Sequence, residues 1–229
     1  MNEIQKREEK IMVDILQTRD AQGELFIWTN VEAVHEEDFN RWYDREHMEE
    51  RASIPGFIWS RRYRAASDDK CRYLALYRTR DVGVFLSAPY RKAFENQTQW
   101  SMTNFGRMFG NTRRVTIVTP VIGKGTGSAL ALIALGDSPT AQRAAGETGA
   151  LIGEEAGFLA ARILTPDPEL STPLPTKGAN NFIEPFLILE ATSEAVAASL
   201  GGRVAQKLSI ASDKVTTFHL LWDLRSEDL

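Results

Sequence analysis

Side chains able to move or stabilise a proton crowd into one stretch of this chain, from Phe39 to Tyr77. His47, one of three histidines, shares a helical spacing of three and four with Phe39, Trp42, Tyr43, Glu46 and Glu50, so one face of a helix begins aromatic and ends titratable. An imidazole ionises near pH 6.5 and can take a proton at neutral pH, and a nearby carboxylate such as Asp44 or Glu46 would tune it. After a Pro55-Gly56 turn the period changes to two. Phe57, Trp59, Arg61 and Tyr63 then fall on one side of a strand, and Ile58, Ser60, Arg62 and Arg64 on the other. Imidazole, phenol and guanidinium groups gathered between a helix and a sheet suit the binding and polarising of a small anionic or enolisable molecule. The expected catalytic set is His47 as general acid/base, with Tyr63 or Tyr77 holding a developing oxyanion. The expected substrate-binding set is Trp42, Tyr43, Arg62, Trp100 and Phe105, with Trp100, Met102 and Phe105 shaping the apolar end of a pocket.

Each candidate has a plainer role. His47 can be a core histidine bonded to a strand carbonyl, and Trp42 and Tyr43 can be ordinary helix-face core. Of Arg61 and Arg62, one is expected in solvent; the other, if inward, must be paired or await an anion. His35 and His219 form no short-range ligand pair with His47, so no metal is expected. Cys71 is the only cysteine, which excludes intrachain disulfides and thiolate clusters within one chain; opening a strand between Lys70 and Arg72, it reads as a plain exposed or half-buried thiol rather than a nucleophile. The chain has no G-x-S-x-G, no dinucleotide fingerprint after a strand and no H-E-x-x-H. Proton chemistry of the expected kind needs no cofactor.

These residues must be positioned by elements, and the order of elements repeats. Residues 24–31, 36–54, 57–65 and 71–79 read as strand, helix and an antiparallel pair; a second helix begins near Val82, and residues 113–122 close the set as a fourth strand. From Ser128 the order recurs: strand, helix over 138–157, strands over 159–166 and 182–191, helix over 193–208 and strand over 214–224. Both halves read βαββαβ. A four-stranded antiparallel sheet with helices on one face leaves the other face to be covered, and two such sheets can cover each other. The expected class is α+β: two tandem ferredoxin-like units packed sheet to sheet as an intrachain barrel. The boundaries are an extension over 1–22, a first half over 23–122 carrying the site, a glycine-rich joint GKGTG over 123–127, and a second half over 128–229. That joint lacks the Lys-Ser/Thr of a phosphate loop. The proline-rich stretch 166–181 reads as a loop or flap.

Composition narrows the function further. With 229 residues, 43% hydrophobic and 25% charged, the chain can bury one large core or two small ones. A net charge of -4 and a pI near 5.5 give no electrostatic attraction to nucleic acid or to anionic membrane surfaces. The charged start, MNEIQKREEKIMVDIL, and the lack of a span of about 20 apolar residues point to a cytoplasmic protein.

The segment FNRWYDREHMEERASIPGF, followed by SRRYRA and RYLALYRT, resembles the dimeric α+β barrel superfamily, and within it the EthD-related proteins. The resemblance covers mainly residues 23–122. It implies the barrel fold and cofactor-independent chemistry on aromatic, polyketide or lactone substrates, as in the cyclases, isomerases and monooxygenases of that superfamily. His47 matches the histidine after the aromatic pair, Pro55 and Gly56 the turn, and Tyr63 an aromatic of the second strand. The second half lacks the aromatic pair and the histidine, as a degenerate copy retained for packing would. The expected function is a cofactor-independent isomerase or lyase acting on a small aromatic or cyclic carbonyl compound. The alternatives are a cofactor-free monooxygenase or a non-catalytic ligand-binding or stability protein; a homodimer stays open.

Overall fold

The computed structural model describes residues 20–67, 71–171 and 183–229. The expected N-terminal extension, apart from its last residues, and most of the proline-rich stretch lie outside them. Strands β1 (Gly23–Val31), β2 (Phe57–Ala65), β3 (Tyr73–Thr79) and β4 (Met108–Gly123) belong to the first half. Strands β5 (Ala129–Ala134), β6 (Phe158–Pro166), β7 (Phe186–Ala191) and β8 (Val215–Arg225) belong to the second. They close into one antiparallel barrel in the order β1-β3-β2-β8-β5-β7-β6-β4. Each half thus contributes a sheet with its first strand between its fourth and third. The two sheets face each other across the interior and are also sewn edge to edge, β2 to β8 and β4 to β6. Closure leaves no edge unpaired among the described strands, which removes the usual route to edge-to-edge aggregation.

Three cores follow. The barrel interior is filled from both halves by residues such as Phe26, Tyr63, Leu76, Leu130, Ile188 and Phe218. Phe26 of β1 stacks on Phe186 of β7 with centroids 4.7 Å apart. The other two cores lie outside the barrel, between each sheet and its own helices. In the second half, α4 (Ser138–Ile152) and α5 (Glu194–Leu208) do the covering, and α4 turns small side chains, Ala141 and Ala144, toward the sheet. In the first half the covering helix is bulky, with Phe39, Trp42 and Tyr43 buried.

That first helix, α1, comprises Glu36–Trp42, a π-helical turn at Tyr43–His47, and Met48–Ala52. The extra residue per turn is visible in the Met48 N–H, which donates to the Tyr43 carbonyl five residues back. Helix-period reasoning predicts an unbroken α-helix here, because nothing in the residue types announces a π turn. The expected second helix is likewise broken, into a 3-10 turn at Val82–Leu86, α2 (Ala88–Glu95) and α3 (Gln99–Arg107). Ser87 caps α2 and Thr98 caps α3, each side chain accepting a backbone N–H. Gly56, between α1 and β2, has φ +99°, and a Cβ there would lie 2.6 Å from Val84 Cγ2, so this turn needs glycine twice over.

Candidate functional site

A cavity of about 410 Å3 opens between the outer face of the first sheet and helices α1 to α3. Its floor is Leu25 and Ile27 of β1, Tyr77 of β3, and Met108 and Arg113 of β4. Its wall from α1 is Tyr43, His47 and Arg51, spaced by four residues and all at least 94% buried. Phe94, Met102 and Phe105 form the apolar roof, and among the described residues no carboxylate lines the cavity.

The π turn sets the orientation of His47. It brings residue 47 over residue 42, so the imidazole stacks on the Trp42 indole at 4.3 Å between centroids and 29° between planes. Trp42 is held in turn: its Nε1–H donates to Ser101 Oγ at 3.0 Å, and Ser101 donates to Glu46 Oε1 at 3.1 Å. Phe105 and Tyr77 meet the other sides of the imidazole edge-on, at 5.6 and 6.2 Å. His47 Nδ1 lies 3.5 Å from Glu50 Oε2 without forming a hydrogen bond. Burial, followed by the positive charges of Arg51 and Arg62, holds the imidazole well below its ordinary pKa. His47 is therefore neutral at physiological pH.

Tyr77 Oη is buried beside the Tyr43 phenol, and burial together with that phenol pushes its pKa well above the usual tyrosine value. Arg51 is 5% exposed and has only long contacts: its Nη2 is 3.4 Å from Gln97 Oε1, 3.5 Å from the Ala93 carbonyl and 3.9 Å from Glu50 Oε2. Arg113 is better held, donating to the Leu170 carbonyl at 2.9 Å and to Tyr90 Oη at 3.1 Å. The described start of the proline-rich stretch, through Leu170, is thereby tied to the pocket wall.

Of the residues expected from sequence, His47, Tyr77, Tyr43 and Phe105 come together in this cavity. Tyr63 does not. It points into the barrel interior, on the far side of the sheet, where its hydroxyl is fully buried among the charges of Glu190, Arg61, Arg162 and Glu24. Trp42 lies behind His47 rather than in the cavity, and Trp100 is turned away, its indole N–H donating to Asp38 at 3.2 Å. Arg62 is 2% exposed beneath α1, with its guanidinium 4.3 Å from the Tyr43 ring and 4.8 Å from that of Tyr73, hydrogen-bonded to Asn40 and 3.5 Å from Asp44. Neither strand arginine is in solvent: Arg61, also buried, pairs with Asp223 at 2.9 Å. A register shift between Phe57 and Trp59 further puts Phe57 on the helix side and Trp59 in the barrel, against strict alternation. Arg51, Gln97, Asn111 and Arg113 were missed; Arg51 was legible as the next step of four after Tyr43 and His47.

A second hollow, wider and more polar at about 700 Å3, opens beside α5 and β8 and includes Ser67, Glu194, Asp213 and Thr216. Among the described residues, neither a histidine nor an arginine lines it. His219 is engaged nearby with Glu194 at 2.9 Å. Among the described residues, no three His, Cys, Asp or Glu side chains gather to hold a metal, and no helix is long and apolar enough to cross a membrane.

No protein-family model matches the chain, and neither does any curated protein. Among solved structures, an anthrone oxidase-like protein aligns with TM-score 0.55 and 12% identity over 90% of this chain and 94% of that one. A monooxygenase-like protein from Lactobacillus acidophilus NCFM aligns with TM-score 0.52 and 10% identity over 90% and 97%. A chlorite dismutase-like protein gives TM-score 0.52 and 12% identity over 88% and 95%. These likenesses establish the fold, an eight-stranded α+β barrel closed within a single chain.

Proposed function

We propose that this protein is a cofactor-independent enzyme in which His47 removes a proton from a small aromatic or cyclic carbonyl compound. The observation that carries this reading is a neutral, buried imidazole in an apolar cavity with buried guanidinium groups and no lining carboxylate. A neutral base can accept a proton, and the anion then formed meets Arg51 and the Tyr77 hydroxyl. Such fixed donors in a largely apolar site lower the cost of developing charge. Nδ1 faces Glu50 at 3.5 Å, and the second nitrogen, Nε2, is the one left for the substrate. The base-to-anion transfer also offsets its own penalty: an anion beside Arg51 relieves the repulsion that opposes the imidazolium.

Return of the proton to another atom, or expulsion of a leaving group, gives the isomerase or lyase outcome expected from sequence. The names of the structural neighbours favour a second outcome, in which the carbanion reacts with dioxygen. Kinship with the EthD-related proteins rests on the FNRWYDREHMEERASIPGF segment and belongs to the same reading. The test uses anthrone and 2-tetralone, whose acidic C–H bonds exchange with deuterium under argon. Wild type is expected to accelerate exchange at least about 100-fold over His47→Ala, the usual scale of a general base. Oxygen uptake on admitting air would select the monooxygenase outcome, and exchange without uptake the isomerase or lyase outcome. Equal exchange by the two proteins would sink the enzyme reading and favour a ligand-binding protein.

A further inference from the structure

We infer that the natural occupant of this pocket carries a carboxylate on an aromatic or otherwise apolar body, seated against Arg51. The inference rests on the reading of the pocket as the working site and specifies what fills it. Arg51 lines the cavity, is 5% exposed, and has a buried Nε that finds no acceptor. Its remaining contacts, to Gln97, the Ala93 carbonyl and Glu50, are 3.4, 3.5 and 3.9 Å long. A guanidinium taken out of water without short, directed acceptors is costly, and a planar carboxylate meets its fork with two parallel hydrogen bonds. Arg113 does not play this part, because the Leu170 carbonyl and Tyr90 already engage its two terminal nitrogens. Arg51 and His47 are one helical turn apart, so an anion on Arg51 places the body of the ligand across the imidazole and under Phe105 and Met102. A volume of about 410 Å3 suits a molecule of two or three fused rings.

The probes are 2-naphthoate and its neutral counterpart 2-naphthamide, titrated into the whole chain by calorimetry at pH 7.5. Naphthoate is expected to bind at least about tenfold more tightly than naphthamide. Arg51→Gln should bring the two affinities to within about twofold, Arg51→Lys should keep part of the preference, and Arg113→Gln and His47→Ala should keep most of it. Equal affinity in the wild type, no binding of either probe up to about 1 mM, a preference that survives Arg51→Gln, or one that collapses only in Arg113→Gln would each overturn the inference. If Arg51→Gln fails to fold, a preference unchanged in Arg51→Lys overturns it. The proton-transfer reading is scored separately: a naphthoate preference in a protein that exchanges no deuterium leaves this inference standing and removes the enzyme reading.

Discussion

Protonation of His47 is opposed first by burial and then by Arg51 and Arg62, and this has two measurable consequences. Because the folded protein holds this imidazole below the unfolded value near 6.5, the unfolded chain binds the extra proton first as pH falls. Stability from this residue is therefore intact above about pH 7 and declines on acidification through 6.5, until the folded-state pKa is reached. Urea denaturation between pH 7.5 and 5 should show a shallower acid decline in His47→Gln than in wild type. The acid limb of kcat/KM for the exchanged substrate should likewise lie well below pH 6.5. Two tyrosines make a paired test. The Tyr63 hydroxyl has no hydrogen-bond partner and that of Tyr77 meets only the Tyr43 phenol, so changing either to Phe should destabilise the protein by no more than about 1 kcal/mol. Tyr77→Phe should slow the exchange reaction by about 100-fold, the scale of one lost oxyanion donor, whereas Tyr63→Phe should leave it unchanged.

At the scale of elements, the site depends on how α1 is braced. Ser101 accepts from the Trp42 indole and belongs to the capped first turn of α3, so α3 fixes the plate on which His47 rests. Ser101→Ala leaves a buried indole N–H without its acceptor and should cost about 1–3 kcal/mol in thermal or urea unfolding. It should also reduce turnover by loosening His47. Sequence periodicity made these elements legible: residues 57–65 read as a strand and prove to be β2, and the helix and strand order of both halves holds. The misses have physical causes. A π turn and a register shift are one-residue changes in backbone winding with no side-chain signature, yet each changes which side chains share a face. The shift in β2 put Phe57 with the helices. In the same way, Asp44 and Glu46 looked like partners for His47, whereas Asp44 turns to Arg62 and Glu46 to Thr98 and Ser101, leaving Glu50 as the nearby carboxylate. The sheet face of Tyr63 followed from alternation but not which face would meet the helices, and Tyr63 was lost from the site for that reason.

Across the whole molecule, the barrel interior contains a charge network that spans the halves. Glu24 of β1 meets Arg78 of β3 at 2.5 Å and Arg162 of β6 at 3.3 Å, and Arg162 also meets Glu190 of β7 at 2.7 Å. The two cations hold Glu24 below the usual carboxylate range despite complete burial, and the two carboxylates raise Arg162. Glu190→Gln removes one charge from a dry set and should cost about 3–5 kcal/mol. Since both the network and the seams cross between halves, unfolding should remain one transition by calorimetry and by fluorescence; two separated transitions would show that the halves fold alone. The seams have a consequence for inheritance. In a barrel assembled from two identical chains, every codon change appears on both sides of the axis, so a residue useful to chemistry is imposed on the opposite side as well. With β2 joined to β8 and β4 to β6 inside one chain, each sheet is encoded separately. The His47 side can accumulate costly buried charge while the α4 side drifts toward plain alanine packing, and neither drift is copied to the other.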